Sequence, residues 1–220
     1  MASTTDKQNA SRESGSMRHV YWIGGGSSAG KSTIARRLAD RHGWRLYATD
    51  DVMGDHARRT TPEQAPLLHA FMAMDMDERW VNRSPETMLE TFHWFRGEGF
   101  GLIVEDLLHL PPEPRVVVEG FRLLPHLVQP LLTEPGHAVW LLPTPEFRQS
   151  AIMSRATPGG RFTDRTSDPE RANRNIAARD HMFTEHLREE TARLRLPAVT
   201  VDPAMSEDEL AERVSGIFGL

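Results

Sequence analysis

The stretch Gly25-Gly26-Ser27-Ser28-Ala29-Gly30-Lys31-Ser32 decides the fold of this chain. It satisfies the spacing G-x-x-x-x-G-K-[ST], and each part has a physical task. Glycines admit backbone conformations closed to other residues, so successive N–H groups can turn inward toward an anion. A helix starting behind them adds its unpaired N–H groups and the positive end of its dipole. Lys31 supplies a mobile cation for terminal phosphates, and Ser32, followed by Thr33, brings a hydroxyl that can ligate a divalent ion. The flanks agree with that reading. An apolar run ends at Ile23, and an amphipathic helix begins at Lys31, with Ile34, Ala35, Leu38 and Ala39 on one face and Gly43 as its stop. The whole of Gly25, Gly26, Ser27, Ser28, Ala29, Gly30, Lys31, Ser32 and Thr33 is therefore read as a nucleotide-binding loop for ATP with Mg²⁺.

Outward from the loop, four more short apolar runs have the character of strands buried on both faces of a parallel sheet. With His19–Ile23 they are Arg45–Thr49, Val116–Glu119, Ala138–Leu142 and Ala198–Val201. Helical segments separate them, so the chain reads as α/β: a doubly wound, five-stranded parallel sheet of P-loop NTPase type. Helix starts are expected at Thr61-Pro62-Glu63, Ser84-Pro85-Glu86 and Ser167-Asp168-Pro169-Glu170, each with a capping oxygen, proline near the first position and an acid in the first turn. Residues 55–114 hold no convincing strand and read as a helical excursion that binds the acceptor. Residues 148–179 are arginine-rich and read as a lid. Residues 1–17 are polar and read as a disordered tail, leaving 18–220 as one domain.

Composition narrows the class further. The 220 residues carry a net charge of −5, which disfavours a broad basic surface for nucleic acid. Cysteine is absent, so disulfides, zinc-thiolate sites and cysteine nucleophiles are excluded, and a cytoplasmic location is expected. No apolar run approaches the ~20 residues that span a bilayer. The guanine-reading tetrapeptide N-K-x-D does not occur; Asp51-Val52-Met53-Gly54 fits D-x-x-G, but that pattern is cheap and badly placed after the second strand. His69, His93 and His109 lack metal-ligand spacing.

With its short length, acids after the second strand and late arginines, the chain resembles the adenylate-kinase-like P-loop small-molecule kinases. The loop Gly25–Ser32 is especially similar to that of the chloramphenicol phosphotransferases, and similar loops occur in uridine kinases. The resemblance implies that an acid after the second strand contacts the acceptor hydroxyl and serves as its base, a role that falls on Asp50. It also implies lid arginines that close over the transferring phosphoryl group, for which Arg155, Arg161 and Arg165 are the candidates, with Pro158-Gly159-Gly160 as a turn or hinge. Guanidinium forks suit that developing charge.

Three further expectations come from the residues themselves. Asp50 and Asp51 end a strand at the edge where such sheets bind ligands, Asp51 either joining the acceptor site or capping the next helix. Glu119 closes the apolar strand Val116–Glu119 as a Walker-B-like acid, there to hold Mg²⁺ through water, with Ser32 and Asp50, or to touch the acceptor. Arg122 and Arg58 are candidate acceptor contacts. The excursion carries more acids than arginines, which suits a neutral or cationic acceptor such as an antibiotic, an amino sugar or a nucleoside. Its Met and aromatic residues read first as core and second as pocket. The expected activity is ATP- and Mg²⁺-dependent phosphorylation of a small-molecule hydroxyl. Two alternatives remain: a polynucleotide-end kinase, and an ATP-binding regulatory module without catalysis.

Overall fold

The computed structural model describes residues 17–154 and 162–220. Five strands form one all-parallel sheet: β1 (Val20–Gly25), β2 (Arg45–Ala48), β3 (Val116–Glu119), β4 (Ala138–Pro143) and β5 (Ala198–Val201), in the order β2-β3-β1-β4-β5. The three central strands are buried along their whole length, as their unbroken apolar character requires, whereas the edge strand β5 alternates exposed and buried. All five lie within two residues of the runs read from the sequence.

Helices cover both faces. Helix α1 (Lys31–His42) buries Ile34, Ala35, Leu38 and Ala39 against Ile23, Val117 and Leu141. Full burial of each Ile or Leu stabilises by roughly 1.5–3 kcal/mol. The last helix of the chain (Glu207–Phe218) joins the same layer through Leu210 and Val214. The opposite face is built around Trp22, Trp140, Ile103, Phe183 and Leu187. Met17 is also buried there, so the chain is anchored from at least that residue rather than from 18.

The stretch between β2 and β3 is helical throughout its regular elements. It comprises α2 (Met53–Arg59), α3 (Pro66–Ala73), a π-helical turn (Glu78–Asn82), α4 (Pro85–Thr91), a 3₁₀ turn (His93–Arg96) and α5 (Phe100–Leu108). The helix expected from Thr61 begins at Pro66 instead. Residues 61–65 close a single turn, and the proline then drives Ala65 out of helical conformation (φ −140°, ψ 65°). Helix α3 has no cap of its own. The Glu98 carboxylate accepts from Leu67 N at 3.0 Å and Leu68 N at 2.8 Å, placing an acid at the positive helix end from 30 residues away. Helix α4 starts as expected, Ser84 accepting from Thr87 N.

Beyond β3 follow α6 (Pro125–Val128), α7 (Pro145–Ser154), a 3₁₀ turn (Phe162–Arg165), α8 (Pro169–Leu194) and α9 (Glu207–Phe218). Asp168, one residue later than the expected Ser167, caps α8 by accepting from Arg171 N; the Ser167 N–H turns away to Asp77 at 2.7 Å. Asn175 on α8 donates to the carbonyls of Trp80, Val81 and Arg83, which ties the π-helical turn to this helix. Among the described residues, no helix is long and apolar enough to cross a membrane.

Candidate active site

Strand order positions the site. β2, β3 and β1 are neighbours, and Glu119 is level with Ala48 on one side and Ile23 on the other. Two residues further along each flanking strand stand Asp50 and Gly25, so the loop and both acids emerge at one carboxyl edge. Gly25 has φ +134°, and a Cβ there would lie 2.1 Å from the Leu141 carbonyl oxygen; only glycine lets the loop leave β1 against β4. Gly26 N donates to that same carbonyl at 3.0 Å, and Ser28 continues the turn with φ 60°.

Lys31 is buried and folds back so that Nζ donates to the Gly26 carbonyl at 2.7 Å. The Ser32 hydroxyl lies beside the Glu119 carboxylate and favours its ionised form. Ser27–Ser32, Asp50, Glu119 and Phe121 line one cavity of about 200 Å³. It therefore unites the loop residues with the two acids singled out from the sequence.

Both acids are perturbed. Burial raises the carboxyl of Glu119, opposed by the Ser32 hydroxyl and by Lys31, with Asp50 and Asp51 adding repulsion. Asp50 opens onto the cavity, yet the surrounding protein displaces enough water to raise its pKa, against the pull of Lys31 and Arg122. A carboxylate so raised is a better proton acceptor. Two crowded acids beside a serine hydroxyl are also hard oxygen donors of the type Mg²⁺ takes. Among the described residues no three His, Asp or Glu side chains gather into an all-protein metal site. Mg²⁺ keeps several waters and takes phosphate oxygens, so Ser32 with one acid fits it. Asp51 is exposed and does not cap the next helix, since Val52 occupies that position without a side-chain cap.

Gly120 sets the turn after β3 against the end of β2. Its φ is +152°, and a Cβ there would stand 1.8 Å from Thr49 Oγ1, so the turn after β3 packs directly on the end of β2.

Arg122 lies beneath the site rather than in it. It is 2% exposed and donates to the Thr49 carbonyl (3.3 Å), the Gly99 carbonyl (3.2 Å) and His56 Nδ1 (3.0 Å), with its guanidinium 4.0 Å from the Trp94 ring centre. Burial pushes its pKa down to about 10. Because Arg122 donates to Nδ1, the His56 proton sits on Nε2 and goes to Asp106 Oδ2 at 2.8 Å. Asp106 also accepts from Tyr47 and Arg59; burial alone would raise it, but these hydrogen bonds prevail and hold its pKa at about 2. The expected acceptor contact Arg122 is thus a brace joining β2, β3 and the excursion. Arg58 pairs with Asp55, is largely exposed and does not line the cradle.

Five acids of the excursion have similar structural tasks. Asp55 pairs with Arg58 and Arg59, Glu98 caps α3, Asp75 accepts from Glu78 N, Asp77 from Ser167 N, and Asp106 serves Tyr47, His56 and Arg59.

Two more cavities adjoin the cradle. A cleft of about 590 Å³ shares Ser28 and Gly30 with it and runs between Phe147 of α7 and Val201, Pro203 and Leu210. On the other side, a cavity of about 170 Å³ shares Ser27 and Phe121 and is walled by Phe92, Phe95, Phe183, Arg179 and Asp180. Some of the excursion's aromatics are therefore pocket wall, while Met88 is core.

Of the arginines read as a lid, Arg155 and Arg161, with Pro158-Gly159-Gly160, lie outside the described residues. Arg165 is exposed on its 3₁₀ turn. Arg148 and Arg179 are buried and both grip Asp180: Arg148 Nη2 donates at 3.1 Å, Arg179 Nε at 2.9 Å and Nη2 at 2.6 Å. The Arg179–Asp180 pair was not singled out from the sequence, although a signal was there. Ile176, Arg179, Asp180, Phe183 and Leu187 share a helix face, and a charged pair on an apolar stripe marks a buried ionic site.

No protein-family model and no curated protein matches the sequence. Among solved structures, the chain is similar to a deoxyadenosine kinase from M. mycoides with bound dATP. The identity is 12% and the TM-score 0.48, over 91% of this chain and 100% of that one.

Proposed function

We propose that this chain is an ATP- and Mg²⁺-dependent phosphotransferase that phosphorylates a hydroxyl of a small molecule. What supports the reading is the convergence of Lys31, Ser32, Asp50 and Glu119 on one cavity lined by the loop. The loop and the start of α1 bind the phosphates, and the neighbouring cleft beside Phe147 takes the nucleobase. Lys31, released from the Gly26 carbonyl, follows the charge on the transferring group. Asp50 orients the acceptor hydroxyl and accepts its proton, with Asp51 at the rim. Arg165, exposed on its turn, is offered to the bound nucleotide. Mg²⁺, held by Ser32 and through water by Glu119 or Asp50, would neutralise charge on the phosphate oxygens. Phosphoryl transfer passes through a loose transition state, so positioning carries most of the catalysis.

The test is ADP release from Mg²⁺-ATP across nucleosides, sugars, aminoglycosides and other hydroxylated antibiotics, with Lys31→Ala as blank. Stimulation that depends on Lys31, with a phosphorylated product seen by mass, establishes the activity. Nucleotide binding without stimulation by any acceptor, oligonucleotide ends included, would favour a regulatory module.

A further inference from the structure

The end of β2 is held by a closed circuit of hydrogen bonds. β3 stops at Glu119, and the next N–H, that of Gly120, goes to the Ile23 carbonyl of β1 at 3.1 Å. The Thr49 carbonyl, one residue before Asp50, is served by a side chain instead, Arg122 Nη1 donating to it at 3.3 Å. The same guanidinium reaches into the excursion, where Nη2 donates to the Gly99 carbonyl and to His56 Nδ1. His56 is fully buried and passes the link on through Nε2 to Asp106 Oδ2 at 2.8 Å. Asp106 also accepts from the Tyr47 hydroxyl at 2.6 Å, which returns the circuit to β2 two residues before Thr49. Both ring nitrogens of His56 are engaged, so the ring cannot turn over without breaking two bonds to charged groups. Asp50 itself stands one residue beyond the last rung of the sheet, Thr49 N–H to the Glu119 carbonyl at 2.9 Å. Its turn is closed only by Asp51 N–H to the Ala48 carbonyl at 3.2 Å and Met53 N–H to the Asp50 carbonyl at 3.4 Å, both at the long end of the hydrogen-bond range. The aim of the Asp50 carboxylate therefore depends on how firmly Thr49 is held.

We propose that His56 is a positioning residue for phosphoryl transfer: through Arg122 and the Thr49 carbonyl it fixes the turn that presents Asp50 to the cavity. The excursion thereby sets the aim of the acid. This rests on the phosphotransferase reading for its effect on turnover, but not for its effect on the turn. His56 does not line the cradle, so its contribution is orientation rather than contact with the reacting groups. In a reaction governed by positioning, a displacement of about 1 Å can cost on the order of 10²-fold in rate. The chemistry of the ring suggests the variants. Leucine fills similar space but neither accepts from Arg122 nor donates to Asp106. Glutamine offers both functions, its amide oxygen accepting from Arg122 and its NH₂ donating to Asp106.

The experiment compares the native chain with His56→Leu and His56→Gln by three measurements: kcat and KM with the best acceptor of the panel above, ATP affinity by calorimetry, and amide hydrogen exchange at Asp51 and Gly26. The Gly26 N–H, bonded to the Leu141 carbonyl at 3.0 Å, is the control within the phosphate loop. His56→Leu should lower kcat by about 10–100-fold while KM and Kd for ATP stay within about threefold. It should speed exchange at Asp51 by about tenfold or more and leave Gly26 unchanged. His56→Gln should recover most of both losses. If His56→Leu does not fold, Asp106→Asn, which takes the charge from the far end of the same circuit, is read in the same way. Unchanged exchange at Asp51, equal acceleration at Asp51 and Gly26, or failure of glutamine to restore the native behaviour overturns the proposal. The expected exchange pattern in a chain that turns over no acceptor would support the positioning role and count against the kinase reading; turnover indifferent to His56→Leu would do the reverse.

Discussion

His93 offers a test of the burial reasoning that does not depend on any ligand. Its ring is 2% exposed and packed against Phe71, Phe92 and Trp94 at centroid distances of 5.0, 4.7 and 4.4 Å, with Nδ1 unpartnered. Burial, followed by the charges of Arg122, Arg179 and Arg79, lowers its pKa from 6.5 to about 3. A histidine depressed in the folded state stays neutral while the unfolded chain takes up a proton. Between those two values the unfolded state therefore binds more protons, and stability rises with pH; acidification from 6.5 toward 3 removes it. Integrating for one such group from about pH 7 to about pH 5 gives a loss of about 2 kcal/mol. His93→Phe removes the titration while keeping an aromatic ring, at an offset of about 1–3 kcal/mol for overpacking that does not vary with pH. Urea unfolding at several pH values in that range should show the native protein losing about 2 kcal/mol more than the variant. Parallel pH profiles for the two proteins would show that the folded state protonates His93 normally, and would refute the claim that its ring is sealed among cations.

Asp50→Asn should leave ATP affinity within about threefold while turnover falls by about 10²–10⁴, the range of a removed general base; unchanged turnover in a coupled ADP assay would take Asp50 out of the mechanism. Gly120→Ala should destabilise by about 2–4 kcal/mol, since the new methyl collides with Thr49 and the backbone lies in a region unfavourable to L-residues. Urea midpoints measure that loss, and a shift near zero would mean that the ends of β2 and β3 are not packed as described.

The sheet was legible because each strand is a short apolar run and the cradle is a contiguous motif; both are local signals. Helix α1 was legible to the residue for the same reason. What escaped were choices settled by distant groups. Pro66 overrode an acceptable start at Thr61, and Asp168 rather than Ser167 caps α8, the Ser167 N–H going to Asp77 far back in the chain. The acids of the excursion could be counted, but not their partners: Glu98 serves a helix end and Asp106 serves Tyr47 and His56. Arg122 looked like a ligand contact because an arginine after a strand end often is one; three acceptors and the Trp94 face make it a strut. Among the arginines, those nearest the glycine-rich turn drew attention, while Arg179 announced itself only through its place on an apolar helix face.

Helix α8 is about 39 Å long at 1.5 Å per residue. Its head is fastened to the excursion at Ser167 and again at Asn175, its middle supplies Arg179, Asp180 and Phe183 to the aromatic cavity, and Leu187 is embedded in the core. One helix thus ties the aromatic cavity, the π-helical turn and the core together.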